Sequence, residues 1–151
     1  MAKSTIFEDL FNLSGEVAIV TGGLGQLGSE YAKILAEAGA AVAIFDVRDS
    51  PGPKVEELMK GHKIYVHKVD ITKKDEVKNA FAKVTEKFGA PTILINNAGI
   101  DNPPNASAAD TGPYEGYPEK GWDEVIDSHL KGAFLMSQEF IRHIRPTGRD
   151  G

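Results

Sequence analysis

A chain of 151 residues is long enough for one domain with a real core. Its 17 Lys plus Arg against 22 Asp plus Glu leave a net charge of -5 and no basic run, which argues against a protein built to grip nucleic-acid phosphates. It contains no cysteine, so disulfides, thiolate metal sites and cysteine nucleophiles are excluded.

The opening MAKSTIFEDLFNLSGE is too acidic and too poor in continuous apolar residues for a signal peptide. No stretch reaches the roughly 20 apolar residues of a membrane span. The default expectation is a soluble, cytoplasmic protein with no membrane partner. Val17–Val20 reads as a buried strand, and so do Ala41–Phe45, Lys63–Val69 and Thr92–Ile95. Between the first two, Leu27, Tyr31, Ile34, Leu35 and Ala38 recur at helical spacing, and Gly39 supplies a stop. Pro53 opens a weaker helix running to about Lys60. Thr72 and Asp75 form a T-x-x-D start for a third, striped by Val77, Phe81, Val84 and Phe88. The alternation predicts an α/β fold of the Rossmann-like, doubly wound type, with a parallel sheet in the strand order 3-2-1-4.

Residues 101–120 show no period and are rich in Pro, Gly, Ala and Asn, which predicts an irregular insertion loop. Beyond it, Trp122, Val125, Ile126, His129, Ala133, Phe134, Phe140, Ile141 and Ile144 predict one long helix, followed by turn residues. Residues 1–151 are therefore expected to form a single domain; the family resemblance carried by the motifs below implies that it is incomplete, cut short after the fourth strand and this helix. Such a domain would leave a sheet edge open, and self-association through that edge, or a homo-oligomer, is expected.

The chemistry concentrates in TGGLGQLG, residues 21–28. Gly23-x-Gly25-x-x-Gly28 follows a strand and opens a helix, the context in which glycines let backbone approach a pyrophosphate. Helix N-terminal N–H groups favour the anion. Gly22, Gly25, Gln26 and Leu27 are the candidate contacts. Asp46 and Val47 end the second strand, where a carboxylate can accept both ribose hydroxyls of NAD and repel the 2′-phosphate of NADP. A nearby Arg48 keeps NADP as the less favoured alternative, and the bland reading is a turn with a surface aspartate.

The Thr-Gly start of this loop, Asp46, Val69-Asp70-Ile71 and Asn96-Asn97-Ala98-Gly99 together resemble the short-chain dehydrogenase/reductase superfamily, from about Leu13 to Arg145. That resemblance implies Asp70 against the adenine, a backbone contact from Ile71, and Asn96, Ala98 and Gly99 along the path to the nicotinamide ribose. The bland alternatives are a helix-capping Asp70 and an Asn-rich turn, the role favoured for Asn97. Gln26 stands where single-domain members place glycine. Gly25 instead fits the extended members, many of which act on nucleotide sugars.

In the family a Tyr with a Lys four residues later, helped by a Ser, handles the proton. Tyr31, Tyr65, Tyr114 and Tyr117 are followed at that spacing by Leu35, Val69, Pro118 and Gly121, so the motif is absent. The family's fourth catalytic residue, an Asn, corresponds to His129, readable either as a buried histidine or as a member of a proton relay. His62, His67 and His143 have no acidic partner at ligand spacing and read as surface residues, so no metal site is expected. Three readings follow. One is the cofactor-binding part of an NAD-dependent oxidoreductase acting on a small secondary alcohol or ketone. The others are a non-catalytic dinucleotide-binding module and a nucleotide-sugar epimerase or dehydratase.

Overall fold

The computed structural model describes residues 10–102 and 112–148. Four strands, β1 (Val17–Thr21), β2 (Ala41–Asp46), β3 (Ile64–Lys68) and β4 (Ile93–Ile95), form one parallel sheet in the order β3-β2-β1-β4. Three helices make the crossovers: α1 (Gln26–Glu37), α2 (Pro53–Gly61) and α3 (Lys74–Phe88). After β4 come α4 (Glu119–Ile126), a π-helical turn at Asp127–Lys131 and α5 (Gly132–Ile144). No described helix is long and apolar enough to cross a membrane.

The strands are apolar on both sides because both sides are covered. Val17, Ile19, Ala41, Ala43 and Phe45 pack with Val77, Phe81 and Val84 of α3 and Met136 of α5. Their neighbours Ala18, Val20, Val42 and Ile44 point the other way, onto Ala32 and Ala36 of α1 and Val55 of α2. That alternation is the period-two geometry of a strand acting in two cores at once. Phe81 is fully buried and meets Phe45 edge-on, ring centroids 6.0 Å apart.

Four features differ from the sequence expectation. On α1 the periodic residues Leu27, Tyr31 and Ile34 are exposed, and Gly28, Ser29, Ala32 and Ala36 face the sheet. Small side chains let the helix axis lie close to β1, so the buried face is the one with least hydrophobic bulk. At α3 the cap position is Lys73, with no side-chain cap, and Thr72 instead donates its N–H and hydroxyl to Asp70 Oδ1 at 2.9 and 2.7 Å. The expected long helix runs continuously from Glu119 to Ile144, with Asp127–Lys131 wound as a π turn, but Trp122, Phe134 and Ile141 on it are exposed, whereas Met136 is buried. The expected loop at 101–120 is ordered at its end, where Glu119 and Lys120 already belong to α4. Residues 103–111 of that loop lie outside the described residues.

Candidate functional site

Strand order reverses between β1 and β4, and a crevice of roughly 540 Å³ opens beyond the carboxyl ends of the strands there. The loop after β1 forms its floor. Gly22 adopts a left-handed φ of 62°, and a Cβ on it would meet Ala98 Cα at 2.9 Å. Gly28 lies against the carbonyl oxygen of Gly22, where an added Cβ would sit only 2.2 Å away. Glycine is required at both positions so that loop, helix and β4 turn can close on one another. The helix then opens at Gly25 with neither a side-chain cap nor an acidic residue in its first turn. Its unpaired N–H groups and positive dipole end favour an anion. The donor set suits a pyrophosphate.

Beside this loop Asp46 is only 6% exposed. Its Oδ1 accepts the backbone N–H of Arg48 (3.1 Å) and Arg48 Nε (2.9 Å). Its Oδ2 accepts the backbone N–H of Leu24 (3.1 Å) and Arg48 Nη2 (3.1 Å). Burial pushes the Asp46 carboxyl upward, but the guanidinium and the two backbone donors outweigh it and hold it below the usual aspartate range. The bond to Asp46 raises Arg48 in turn.

The far wall comes from the loops after β3 and β4. Asp70 holds its own turn through Thr72, and its N–H donates to Glu76 Oε2 at 2.9 Å. Asn97 ties the β4 turn to β1: its Nδ2 donates to the Thr21 carbonyl at 2.9 Å, while Thr21 Oγ1 accepts the N–H groups of Asn97 and Ala98, each at 3.0 Å. Thr21 itself is fully buried, so the two turns move as one body.

Of the residues picked out from sequence, Gly22, Gly25, Gln26, Leu27, Asp46, Val47, Asp70, Ile71, Ala98 and Gly99 all line the crevice. Asn96 does not. It alternates with Asn97, so its amide turns to the opposite side and donates to Ser137 Oγ of α5 at 3.1 Å. His129 also lies outside the lining and is exposed, which removes the reading of a buried histidine. Its ring covers Gly99 so closely that a Cβ there would meet it at 2.2 Å, and Nε2 lies 3.1 Å from the Ile100 carbonyl. The preceding Ser128 accepts the Ile100 N–H at 3.3 Å. Consecutive side chains of the π turn thus hold both polar groups of one residue.

Sequence reasoning missed Thr72, Ile100 and Ser128 as lining residues. Ser128 had no signal beyond its place beside His129; it lies in the π turn and lines the crevice. His143, read from sequence as a surface residue, is half-buried: its Nε2 lies 3.4 Å from Glu139 Oε1 and its Nδ1 3.0 Å from Thr85 Oγ1. That cluster fastens α5 to α3 away from the crevice. Among the described residues no group of three or more His, Asp or Glu is placed to hold a metal ion.

A sequence profile of the short chain dehydrogenase family matches residues 16–151. The chain is 30% identical over 142 residues to the NAD-dependent glycerol dehydrogenase of Listeria innocua, covering 94% of this chain and 52% of that protein. It is 34% identical over 145 residues to the gluconate 5-dehydrogenase of Gluconobacter oxydans, covering 93% and 53%. A solved short-chain type dehydrogenase/reductase from Mycobacterium marinum superposes with a TM-score of 0.83 at 29% identity, over 95% of this chain and 54% of that one. The chain spans about half the length of these relatives.

Proposed function

The chain belongs to the short-chain dehydrogenase family, and from that premise we propose that it is the NAD-binding part of an oxidoreductase acting on a secondary alcohol or ketone. One observation carries the reading: a glycine floor without room for Cβ atoms, an uncapped helix N-terminus and a buried carboxylate converge on one crevice at the sheet's switch point. Backbone at Gly22, Gly25, Gln26 and Leu27 would hold the pyrophosphate. Asp46, beside Val47, would take the adenosine ribose, with Asp70 and Ile71 at the adenine and Ala98 and Gly99 toward the nicotinamide. NAD, when bound, supplies the hydride acceptor or donor. NADP is the less favoured cofactor because its 2′-phosphate would face the Asp46 carboxylate.

What this chain's residues do is bind and orient. The Tyr-x-x-x-Lys pair that would move the alcohol proton is absent from the sequence. His129 touches the Gly99–Ile100 backbone and serves as a positioning residue for the nicotinamide side of the crevice. The 151-residue chain is accordingly proposed to bind NAD without oxidising an alcohol. Calorimetry with NAD tests the first half, and no heat of binding to a folded sample overturns it. Steady turnover of glycerol, gluconate or another secondary alcohol by this chain alone overturns the second. Binding without turnover is equally the property of a non-catalytic dinucleotide module. The two readings are separated by a longer sequence: one carrying the Tyr and Lys decides for the oxidoreductase.

The free side of β4, which pairs only with β1 among the described residues, supports association between chains through that edge. Sedimentation showing a monomer at all concentrations refutes this.

A further inference from the structure

Outside the crevice, a second group of polar side chains gathers on the outer edge of the sheet, where β3 meets α3. His67 of β3 is half-buried there between two rings and an ammonium. Its ring stacks on Tyr65, with centroids 5.6 Å apart and 16° between planes, and meets Phe45 of β2 edge-on at 6.3 Å. Its Nε2 lies 3.5 Å from Lys83 Nζ of α3, and its Nδ1 3.2 Å from the Tyr65 hydroxyl. A lysine ammonium only donates, so Nε2 must accept, and the proton on Nδ1 goes to Tyr65. The ring that fits these partners is neutral. A second ammonium, Lys87, stands 5.3 Å from the centre of the Tyr65 ring. The groups facing His67 are therefore Tyr65 on its own strand, Phe45 on β2, and Lys83 on α3 with Lys87 across Tyr65, and these described contacts include no carboxylate. His143, the other histidine near this layer, meets Phe81 and bonds within the α3–α5 contact. Burial and the Lys83 charge hold His67 below the usual histidine range.

β3 runs from this cluster straight into the crevice wall. Phe45, the register partner of His67, is fully buried, and its carbonyl accepts the Gly22 N–H at 2.7 Å. Two residues past His67, Val69 donates its N–H to the Asp46 carbonyl at 2.8 Å, and Asp70 and Ile71 follow in the lining. We propose that His67 is a proton-operated joint between β3 and α3, closed when neutral and opened by acid, through which pH governs the fit of the adenine-side wall. This rests on the reading of the crevice as a dinucleotide site. Protonation occupies the Nε2 lone pair, so the Lys83 contact is lost and two cations face each other, with Lys87 a third beside the same phenol ring. The end of β3 then parts locally from α3, the Val69 bond opens more often, and Asp70 and Ile71 lose their seat. The folded value of His67 lies below the unfolded value of about 6.5, so the joint is fully closed above about pH 6.5 and is lost as pH falls through the folded value.

Amide exchange at Val69, calorimetry with NAD and NMR titration of the His67 ring are followed from about pH 8 to pH 5 on the parent chain, His67→Gln and Lys83→Gln. Corrected for the intrinsic pH dependence of exchange, Val69 in the parent should open about two- to five-fold more often at the acid end, the worth of a partly exposed charge contact. NAD affinity should fall by the same factor. Glutamine at 67 offers Lys83 an acceptor that does not titrate, so both changes disappear. Glutamine at 83 removes the facing cation, so the His67 titration moves upward and the acid opening shrinks. Identical exchange profiles for the parent and His67→Gln overturn the joint, and so does a His67 titration that Lys83→Gln leaves in place. If the parent binds NAD with no more pH dependence than His67→Gln, the control of the adenine wall is refuted while the dinucleotide site stands. If the parent binds no NAD at any pH, the dinucleotide reading falls, and the exchange profiles alone decide the joint.

Discussion

Gly28 and Gly25 lie three residues apart, in the first turn of α1 and at its N-cap, and the structure assigns them different tasks. A Cβ on Gly28 would stand 2.2 Å from the Gly22 carbonyl oxygen, 2.7 Å from Gly23 Cα and 2.8 Å from the Gly22 carbonyl carbon. Ordinary contact begins at 3.4 Å, so loop and helix must part by about 1.2 Å (3.4 − 2.2), and every opposing atom is backbone. Gly28→Ala should cost about 3 kcal/mol of overpacking, offset by about 1 kcal/mol of improved helix propensity. The net loss of about 2 kcal/mol is roughly a 30-fold smaller folding constant. Gly25→Ala has more room. Its nearest neighbour is the Gly22 carbonyl oxygen at 3.1 Å, its φ of -78° suits alanine, and its Cβ would enter the crevice. Its stability should fall by no more than about 1 kcal/mol, the scale of a poorer N-cap, while NAD affinity collapses. Urea unfolding with an unchanged m-value measures the first effect and calorimetry the second. A Gly28→Ala protein within about 0.5 kcal/mol of the parent would show that the floor does not pack as described.

Phe81→Ala removes a fully buried ring from the core between the sheet and α3, and should cost about 3–5 kcal/mol by urea denaturation. The folded Asp46 carboxyl titrates lower than in the unfolded chain, so its stabilisation is complete above the unfolded value of about 3.9 and drains away as pH falls through the folded value. Asp46→Asn should therefore be less stable near neutrality and show a flatter stability profile below about pH 4; parallel profiles for the two proteins would contradict this. Replacing Ser128 and His129 together by alanine releases both polar groups of Ile100. Amide exchange at Ile100 should accelerate about five-fold, the worth of one hydrogen bond of about 1 kcal/mol. An unchanged rate would show that the π turn does not hold the β4 loop.

The sheet was legible in the sequence because buried parallel strands need apolar side chains in both directions, and runs such as Val17–Val20 and Ala41–Phe45 have little other use. The glycine loop and Asp46 were legible for a related reason. A backbone that must approach other backbone leaves a pattern of missing side chains, and Gly22 and Gly28 carry it. Helix orientation was not. Leu27, Tyr31 and Ile34 have the period of a buried face, yet the close approach of α1 to β1 selects the small face of Ala32 and Ala36 instead.

What composition and local pattern determined for this chain is its class, its strand order and the place where an anion could meet backbone. What tertiary structure decided is which neighbours those residues acquire. Asn96 and Asn97 are adjacent in sequence, but just past the end of β4 one turns to α5 and the other to β1. Ser128 and His129, neighbours in the π turn, converge on Ile100 from 28 and 29 residues further along the chain. Asp46 reads as a free carboxylate until the fold lays Leu24 and Arg48 against it and fills its oxygens. Period and spacing are local properties of a chain, whereas a hydrogen-bond partner from another element is set only when the layers pack.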